Sequence, residues 1–234
     1  MTTARVHCVL LACACGGLHA AGLALPEQSA ASLGWSGGGV ARTGRASNIH
    51  DNPAGIARLQ HGELVGGALL LVPRISYDGP DGTADAREHE FVVPHAYLAL
   101  PLDERWVAGL GVFAPFGLGT DWKRGWQGRY VSTYAELEVP TINPSIALRL
   151  DGGWSLGAGL RYTYASASIR RRIDAGLALY AASGADPALA PLIADADYDS
   201  GFALEGTGQA WNVDAGALWQ GDRLAIGLAV VGPQ

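Results

Sequence analysis

Beyond its first two dozen residues this sequence has no apolar run long enough to cross a membrane as a helix. Such a span needs about 20 residues. The best candidate, Leu64 to Pro73, has ten and is interrupted by Gly66-Gly67. Charge is also scarce: Asp, Glu, Lys and Arg make up 16% of the 234 residues, against about 25% in a soluble domain. The three cysteines, Cys8, Cys13 and Cys15, all lie near the N-terminus. A chain trimmed there keeps no disulfide and no thiolate metal site. The net charge is −6 and the only basic triple is Arg170-Arg171-Arg172, so nucleic acid is excluded as a partner on electrostatic grounds. His61, His89 and His95 have no metal-ligand spacing, and no HExxH, Walker or EF-hand pattern occurs. No cofactor and no metal is implied.

What is present points to export. Arg5 precedes an apolar run beginning at Val9 to Ala14, and Leu18-His19-Ala20 or Gly22-Leu23-Ala24 offers small-residue cleavage. We therefore expect residues 1–20 to be a signal peptide. The chain is rich in glycine, with 33, and its seven Trp and eight Tyr outnumber four Phe. Amphipathic aromatics with few charges suit the interface girdles of a membrane barrel. An exported protein without helical spans enters lipid only as a closed barrel, because only helices and barrels satisfy every backbone polar group there.

Residues 21–60 are rich in Gly, Ser and Ala and lack sustained alternation, with Leu25 to Leu33 suited to a short helical turn. After His61 a period of two takes over. In Trp154 to Tyr164 the even positions Trp154, Leu156, Ala158, Leu160, Tyr162 and Tyr164 are apolar or aromatic, and the odd ones are Ser, Gly, Gly, Arg and Thr. Side chains alternate faces along a strand, so one face suits lipid and the other a lumen. The same pattern turns Trp106, Ala108, Leu110 and Val112 outward, then Trp211 to Trp219, then Leu224 to Val230. Between Leu137 and Ile146 the apolar phase slips from odd to even, and Pro140 and Pro144 mark the place. That predicts a β-bulge and kink at 140–144. Glu136, Glu138, Arg149 and Arg161 are then expected in one lumenal charge network.

Connections alternate in length. Asp103-Glu104, Asp151 to Gly153 and Gln220 to Asp222 are tight, whereas 78–87, 116–129 and 176–204 are long. Short periplasmic turns and long external loops are the outer-membrane barrel pattern. About seven strands fit, starting near residues 62, 88, 105, 130, 154, 205 and 223. Bacterial barrels close with an even number, and the last residues, Val231-Gly232-Pro233-Gln234, hold no terminal aromatic. The expectation is a truncated chain, with the first seven wall strands in 61–234.

Several motifs in order resemble one family. Ala21-Gly22-Leu23-Ala24-Leu25-Pro26-Glu27-Gln28-Ser29-Ala30, Gly39-Val40-Ala41 and Asn52-Pro53-Ala54-Gly55 are similar to the mature start of the FadL-type long-chain fatty acid transporters. Pro115-Phe116-Gly117-Leu118, Trp126-Gln127-Gly128-Arg129-Tyr130 and Ile142-Asn143-Pro144-Ser145 continue the likeness. The resemblance implies a fourteen-stranded barrel, about half of it here, with residues 21–60 as a hatch that plugs it. It also implies passage of hydrophobic molecules, fatty acids or aromatic hydrocarbons, through a gap in the wall at a kinked strand, without ATP.

Within that likeness Asn52, Pro53 and Ala54 form the hatch motif. Arg171 falls on the arginine that contacts the ligand's acidic head group, a role for which a guanidinium fork suits a carboxylate. In the long loop, Asp186 caps and Pro187 opens a short helix, which places Leu189, Leu192 and Ile193 on one face as a docking groove for an acyl chain. Gly34-Trp35-Ser36-Gly37-Gly38 matches the G-x-S-x-G nucleophile elbow in letters only, since no strand–helix context surrounds it. The reading is therefore not an enzyme but a bacterial outer-membrane transporter for passive uptake of long-chain fatty acids or similar hydrophobic compounds. Outer-membrane lipid or lipopolysaccharide is expected around it, and it is expected to be a monomer when full length. The alternative is a structural or adhesive barrel whose loops bind host or phage.

Overall fold

The computed structural model describes residues 25–35, 38–80 and 82–232. The expected signal peptide, the first four residues of the expected hatch, and Ser36-Gly37 of the elbow-like motif lie outside the described residues. Strands dominate. An N-terminal stretch carries helix α1 (Ala30–Gly34), helix α2 (Asn48–Asp51) and a 3-10 turn (Pro53–Arg58). Eleven strands follow among the described residues: β1 (Glu63–Leu71), β2 (Ser76–Gly79), β3 (Gly82–Asp85), β4 (Phe91–Pro101), β5 (Trp106–Phe113), β6 (Gly117–Asp121), β7 (Tyr134–Glu138), β8 (Thr141–Arg149), β9 (Trp154–Ile173), β10 (Ser200–Gln220) and β11 (Ala225–Val231). Helix α3 (Ala175–Ala182) and a second 3-10 turn (Pro187–Leu192) lie between β9 and β10.

One antiparallel sheet runs β1-β4-β5-β8-β9-β10-β11, with β6 and β7 paired beside its upper part, while β2 and β3 form a separate hairpin that starts two residues before the expected 78–87 loop and occupies most of it. Neighbours in sequence pair because tight turns join them at one end. Asp103 closes the β4–β5 turn by accepting from the N–H groups of Arg105 and Trp106, both at 2.8 Å. Those two bonds, helped by the Arg105 charge, hold its carboxyl below the usual range against a slight opposing effect of burial. The long connections all leave the other end.

The two faces of this sheet meet different surroundings. Trp154, Leu156, Leu160 and Tyr164 are exposed, whereas Ser155, Arg161 and Thr163 between them are buried. Across the sheet, Trp154 pairs with Trp219 and Tyr162 with Trp211, so aromatics mark both ends of the apolar band. From Trp154 to Tyr164 the rise is ~3.3 Å per residue, which at a tilt of ~40° gives ~25 Å, the height of an outer-membrane apolar band. The opposite, concave face carries a core in which Ile49, Ile56, Ala46 and Ala57 of the N-terminal stretch meet Tyr97, Val107, Phe113 and Ala147.

The expected bulge at 140–144 is not there. Glu138 pairs with Ser166 and Thr141 with Thr163, which leaves no extra residue between β7 and β8, and Tyr164 N–H donates to Pro140 O at 3.0 Å. The strand breaks at Val139-Pro140 for another reason: its neighbour on the far side changes from β6 to β5. The apparent slip is a change of content. Odd positions point inward throughout, apolar at Leu137 and Val139 and polar at Thr141 and Asn143. Glu136 and Glu138 consequently share a face with Ser168 and Ser166 rather than with inward Arg161. The four-residue charge network does not form.

The N-terminal stretch lies close against inward glycines. A Cβ on Gly157 would sit 2.2 Å from Ala54 N, one on Gly216 1.9 Å from Asn52 Oδ1, and one on Gly227 2.2 Å from Val40 O. Backbone meets backbone at Gly157 and Gly227, and the Asn52 side chain lies on Gly216, close approaches that only glycine permits. Gly216→Val is expected to unseat residues 38–59 at a cost of about 1–3 kcal/mol, as overpacking does. Limited proteolysis of the detergent-solubilised protein should then cut that segment first, while the heat-modifiable barrel band persists on gels.

Candidate functional site

Asn52, fully buried, is the centre of the seat. Its amide nitrogen donates to Val40 O at 2.7 Å and reaches Ala217 O and Leu228 O, each at 3.4 Å, on β10 and β11. Its Oδ1 accepts from Ala54 N–H at 3.0 Å, which caps the 3-10 turn that Pro53 opens. One side chain thus ties the N-terminal stretch to itself and to two wall strands. A second tie is ionic. Arg161 and Asp214, both buried, approach to 3.5 Å, and Arg161 also donates to His50 O at 2.8 Å. Asn143 Nδ2 donates to the other Asp214 oxygen at 2.9 Å. Buried charges persist only when paired and hydrogen-bonded in this way.

A break in the wall lies above this seat. In β4, Phe91–His95 pair with β1, while pairing with β5 begins only at Ala96. Pro94, which lacks an N–H, sits in that stretch, as proline in a sheet must sit where no ladder bond is required. Beyond Phe113 the next strand also breaks, over Ala114 to Phe116, before β6 begins. A cavity of about 400 Å³ opens at this place, lined by Phe91, Val93, Phe113, Phe116, Leu118 and Val139, with His89, Glu90, Glu136 and Glu138 also in its lining. The start of the N-terminal stretch satisfies the freed backbone: Gln28 donates to Ala114 O at 2.9 Å and accepts from Ala114 N–H at 3.2 Å, and Leu25 N–H reaches Pro115 O at 2.8 Å. Tyr97 OH donates to Gln28 O at 2.8 Å and holds the segment there.

At the loop end, Arg171 lies opposite Phe202 in register, its guanidinium 5.0 Å from that ring. It shares the inward parity of Arg161 and Thr163, beside exposed Ile169, Ile173 and Leu204. The expected cap is present: Asp186 accepts from Ala188 N–H at 2.9 Å, ahead of the 3-10 turn. Leu189, Leu192 and Ile193 are half-buried, and their turn packs on α3, where Gly176 admits the Leu192 carbonyl. The structure gathers Asn52, Pro53 and Ala54 against the wall and places the leucines and Ile193 on α3.

The sequence pattern did not announce the loop lock around Asp199. Arg129 Nε donates to Asp199 Oδ2 at 2.6 Å and Tyr130 OH to Oδ1 at 2.9 Å, with Asp199 fully buried. Burial raises the Tyr130 hydroxyl above its ordinary range, and the bond to Asp199 adds to the rise, so it stays a donor. Arg129 belongs to the Trp126-Gln127-Gly128-Arg129-Tyr130 motif, but Asp199 is one acid among several in a long loop and carries no signal.

A curled antiparallel sheet, apolar outside and polar inside, with tight turns at one end and long loops at the other, defines an outer-membrane barrel wall. The chain belongs to the outer membrane protein transport protein family (OMPP1/FadL/TodX), whose model matches residues 11–230. It is 30% identical over 220 residues to the long-chain fatty acid transport protein of Escherichia coli O157:H7, covering 87% of this chain and 49% of that relative. The crystal structure of a Pseudomonas aeruginosa FadL homologue superposes with a TM-score of 0.66 at 23% identity, covering 89% of this chain and 52% of that one. The P. putida toluene transporter TodX gives 0.52 at 16% identity, over 77% and 53%. The chain spans about half the length of the curated relatives it matches. It is a protein of the bacterial outer membrane.

Gln28→Ala is expected to leave the Ala114 N–H and C=O unpaired at the wall break, a cost of about 1–3 kcal/mol. Hydrogen–deuterium exchange should rise at residues 114–117 and stay unchanged in the β9–β10 ladder.

Proposed function

We propose that this chain provides the wall and hatch of a transporter that takes up long-chain fatty acids or similar hydrophobic compounds passively. In this reading residues 1–20 direct export, 21–60 are the hatch and 61–234 are wall strands. The observation that carries it is the cavity at the wall break, apolar over most of its lining with a few acidic side chains, whose backbone is completed by the hatch through Gln28. A hydrophobic solute in the lumen meets a seated plug below and an apolar opening to the side. Moving the hatch removes the partners of Ala114 and Pro115, so plug position and wall opening are coupled by the same hydrogen bonds. No nucleotide or ion site is needed for such a path, only a gradient of the solute.

The relatives' names support a hydrophobic cargo, fatty acid in one case and toluene in another. Arg171 favours an acidic head group within that range. It stands on the inward face among Ile169, Leu204 and Phe202, an apolar patch that suits the chain of an amphiphile. The leucines of the 187–192 turn, with Ile193, form a first docking surface for the same chain on the loop side. The transporter acts as a monomer at full length in this reading.

Arg171→Ala is expected to weaken oleate binding roughly tenfold, the scale of one charge-assisted hydrogen bond, and to leave toluene uptake unchanged. Titration calorimetry and a radiolabelled uptake assay measure the two. Equal loss of both argues against a head-group role. Native mass spectrometry of detergent-purified protein should show a co-purified acyl chain; a barrel that only binds host or phage through its loops would carry none.

A further inference from the structure

The arginines next to Arg171 face the other way. Arg170 and Arg172 continue the even register of Leu160, Tyr162 and Tyr164, the side of β9 turned to lipid. Beyond Tyr164 that side holds Ser166, Ser168, Arg170 and Arg172, opposite Thr207, Glu205, Ala203 and Gly201 of β10. The surface therefore leaves hydrocarbon at Tyr164, and Arg170 stands ~15 Å above that girdle at the usual rise and tilt. Head groups of the outer leaflet occupy this level.

A cleft of about 270 Å³ opens there, with Arg87, Arg124, Arg170 and Arg172 around it and Asp121 as its one carboxylate. Arg87 already bonds Asp121 at 3.2 Å. Asp121, Tyr134 and Arg170 lie in one row across three strands, and the Arg170 guanidinium rests 4.8 Å over the Tyr134 ring, which holds it in place at the cleft. Arg172 reaches Asp199 O through one nitrogen, while its buried Nε has no hydrogen-bond partner. Arg124 is exposed and forms no ion pair among the described residues. Four guanidinium groups and one carboxylate line this cleft, with Glu136, bonded to the Tyr134 hydroxyl, and Glu205 in the neighbouring cavity beside Arg170; the fork of each guanidinium matches phosphate oxygens.

We propose that this cleft binds the phosphate groups of the outer-leaflet glycolipid, lipopolysaccharide, and so anchors the loop end of the wall in the membrane surface. A phosphate on a lipid is favoured over a free one by position, since the cleft opens on the lipid-facing side directly above the aromatic girdle. Basic pockets at head-group level bind lipid phosphates in helical membrane proteins, and the same electrostatics apply here. The site rests on the outer-membrane placement of the chain and not on the transport reading, because Arg171 and the wall cavity take no part in it.

The test uses the protein purified in nonionic detergent, with short-core lipopolysaccharide and its dephosphorylated form as ligands, read by native mass spectrometry and fluorescence titration. The expected result is tight binding of the phosphorylated form alone. The R124Q/R170Q variant, its fold checked by heat modifiability, should bind it more weakly by roughly tenfold or more and bind oleate as before. Equal binding of both lipid forms, or unchanged affinity in the folded variant, overturns the proposal. Saturation by inorganic phosphate without lipid binding overturns the lipid as the source. Parallel loss of oleate binding assigns the cleft to cargo and overturns it as well. Arg171→Ala keeps lipopolysaccharide binding intact if this site exists, whatever it does to oleate.

Discussion

Lipid offers a backbone no hydrogen-bond partner, and this constraint governs every other feature of the chain. It requires each wall strand to be paired along its length, which fixes the register from β1 to β11 and hence which side chains meet lipid. Beside Phe91–His95 and over Ala114 to Phe116 the wall is interrupted. There the N-terminal stretch supplies the missing partners through Leu25 and Gln28. The hatch in the proposed function is thus not a loose stopper. It is part of how the wall satisfies its own backbone.

The seat of that stretch combines two kinds of contact. Ile49 and Ile56 bury apolar surface against Tyr97 and Phe113. Asn52 and the Arg161–Asp214 pair add directional bonds that specify one position. The glycines of β9, β10 and β11 make close backbone approach possible, so the seat depends on absent side chains as much as on present ones. Breaking a buried pair of charges leaves an uncompensated buried charge and is strongly destabilising, so the Arg161–Asp214 pair holds the segment in its seat.

The loop end shows how a period of two divides a run of like residues. Arg170, Arg171 and Arg172 look equivalent as a triple, yet the middle one faces inward beside Phe202 and its neighbours face outward over Tyr134 and the Asp199 loop. A guanidinium among apolar side chains and one in a polar cleft at the membrane surface meet different ligands. The Arg129–Asp199 pair braces the loops over which these faces diverge.

Alternation determined the barrel wall and the outward aromatics at both ends, because side-chain direction in a strand follows position by a local rule, and local turn and capping chemistry determined the tight turns and the cap at Asp186. The order of motifs brought the family and Asn52-Pro53-Ala54 into view. The rest was decided by contacts distant in sequence. The phase change near Pro140 looked like a bulge, since no local pattern tells an extra residue from a change in what the inward face touches. The partner of Arg129 is 70 residues away, and Gln28 meets Ala114 across 86. Glycine in a strand reads as weakness until the segment lying on it is known. Only the tertiary structure could show the wall break, because a missing neighbour is a property of two strands and is written in neither.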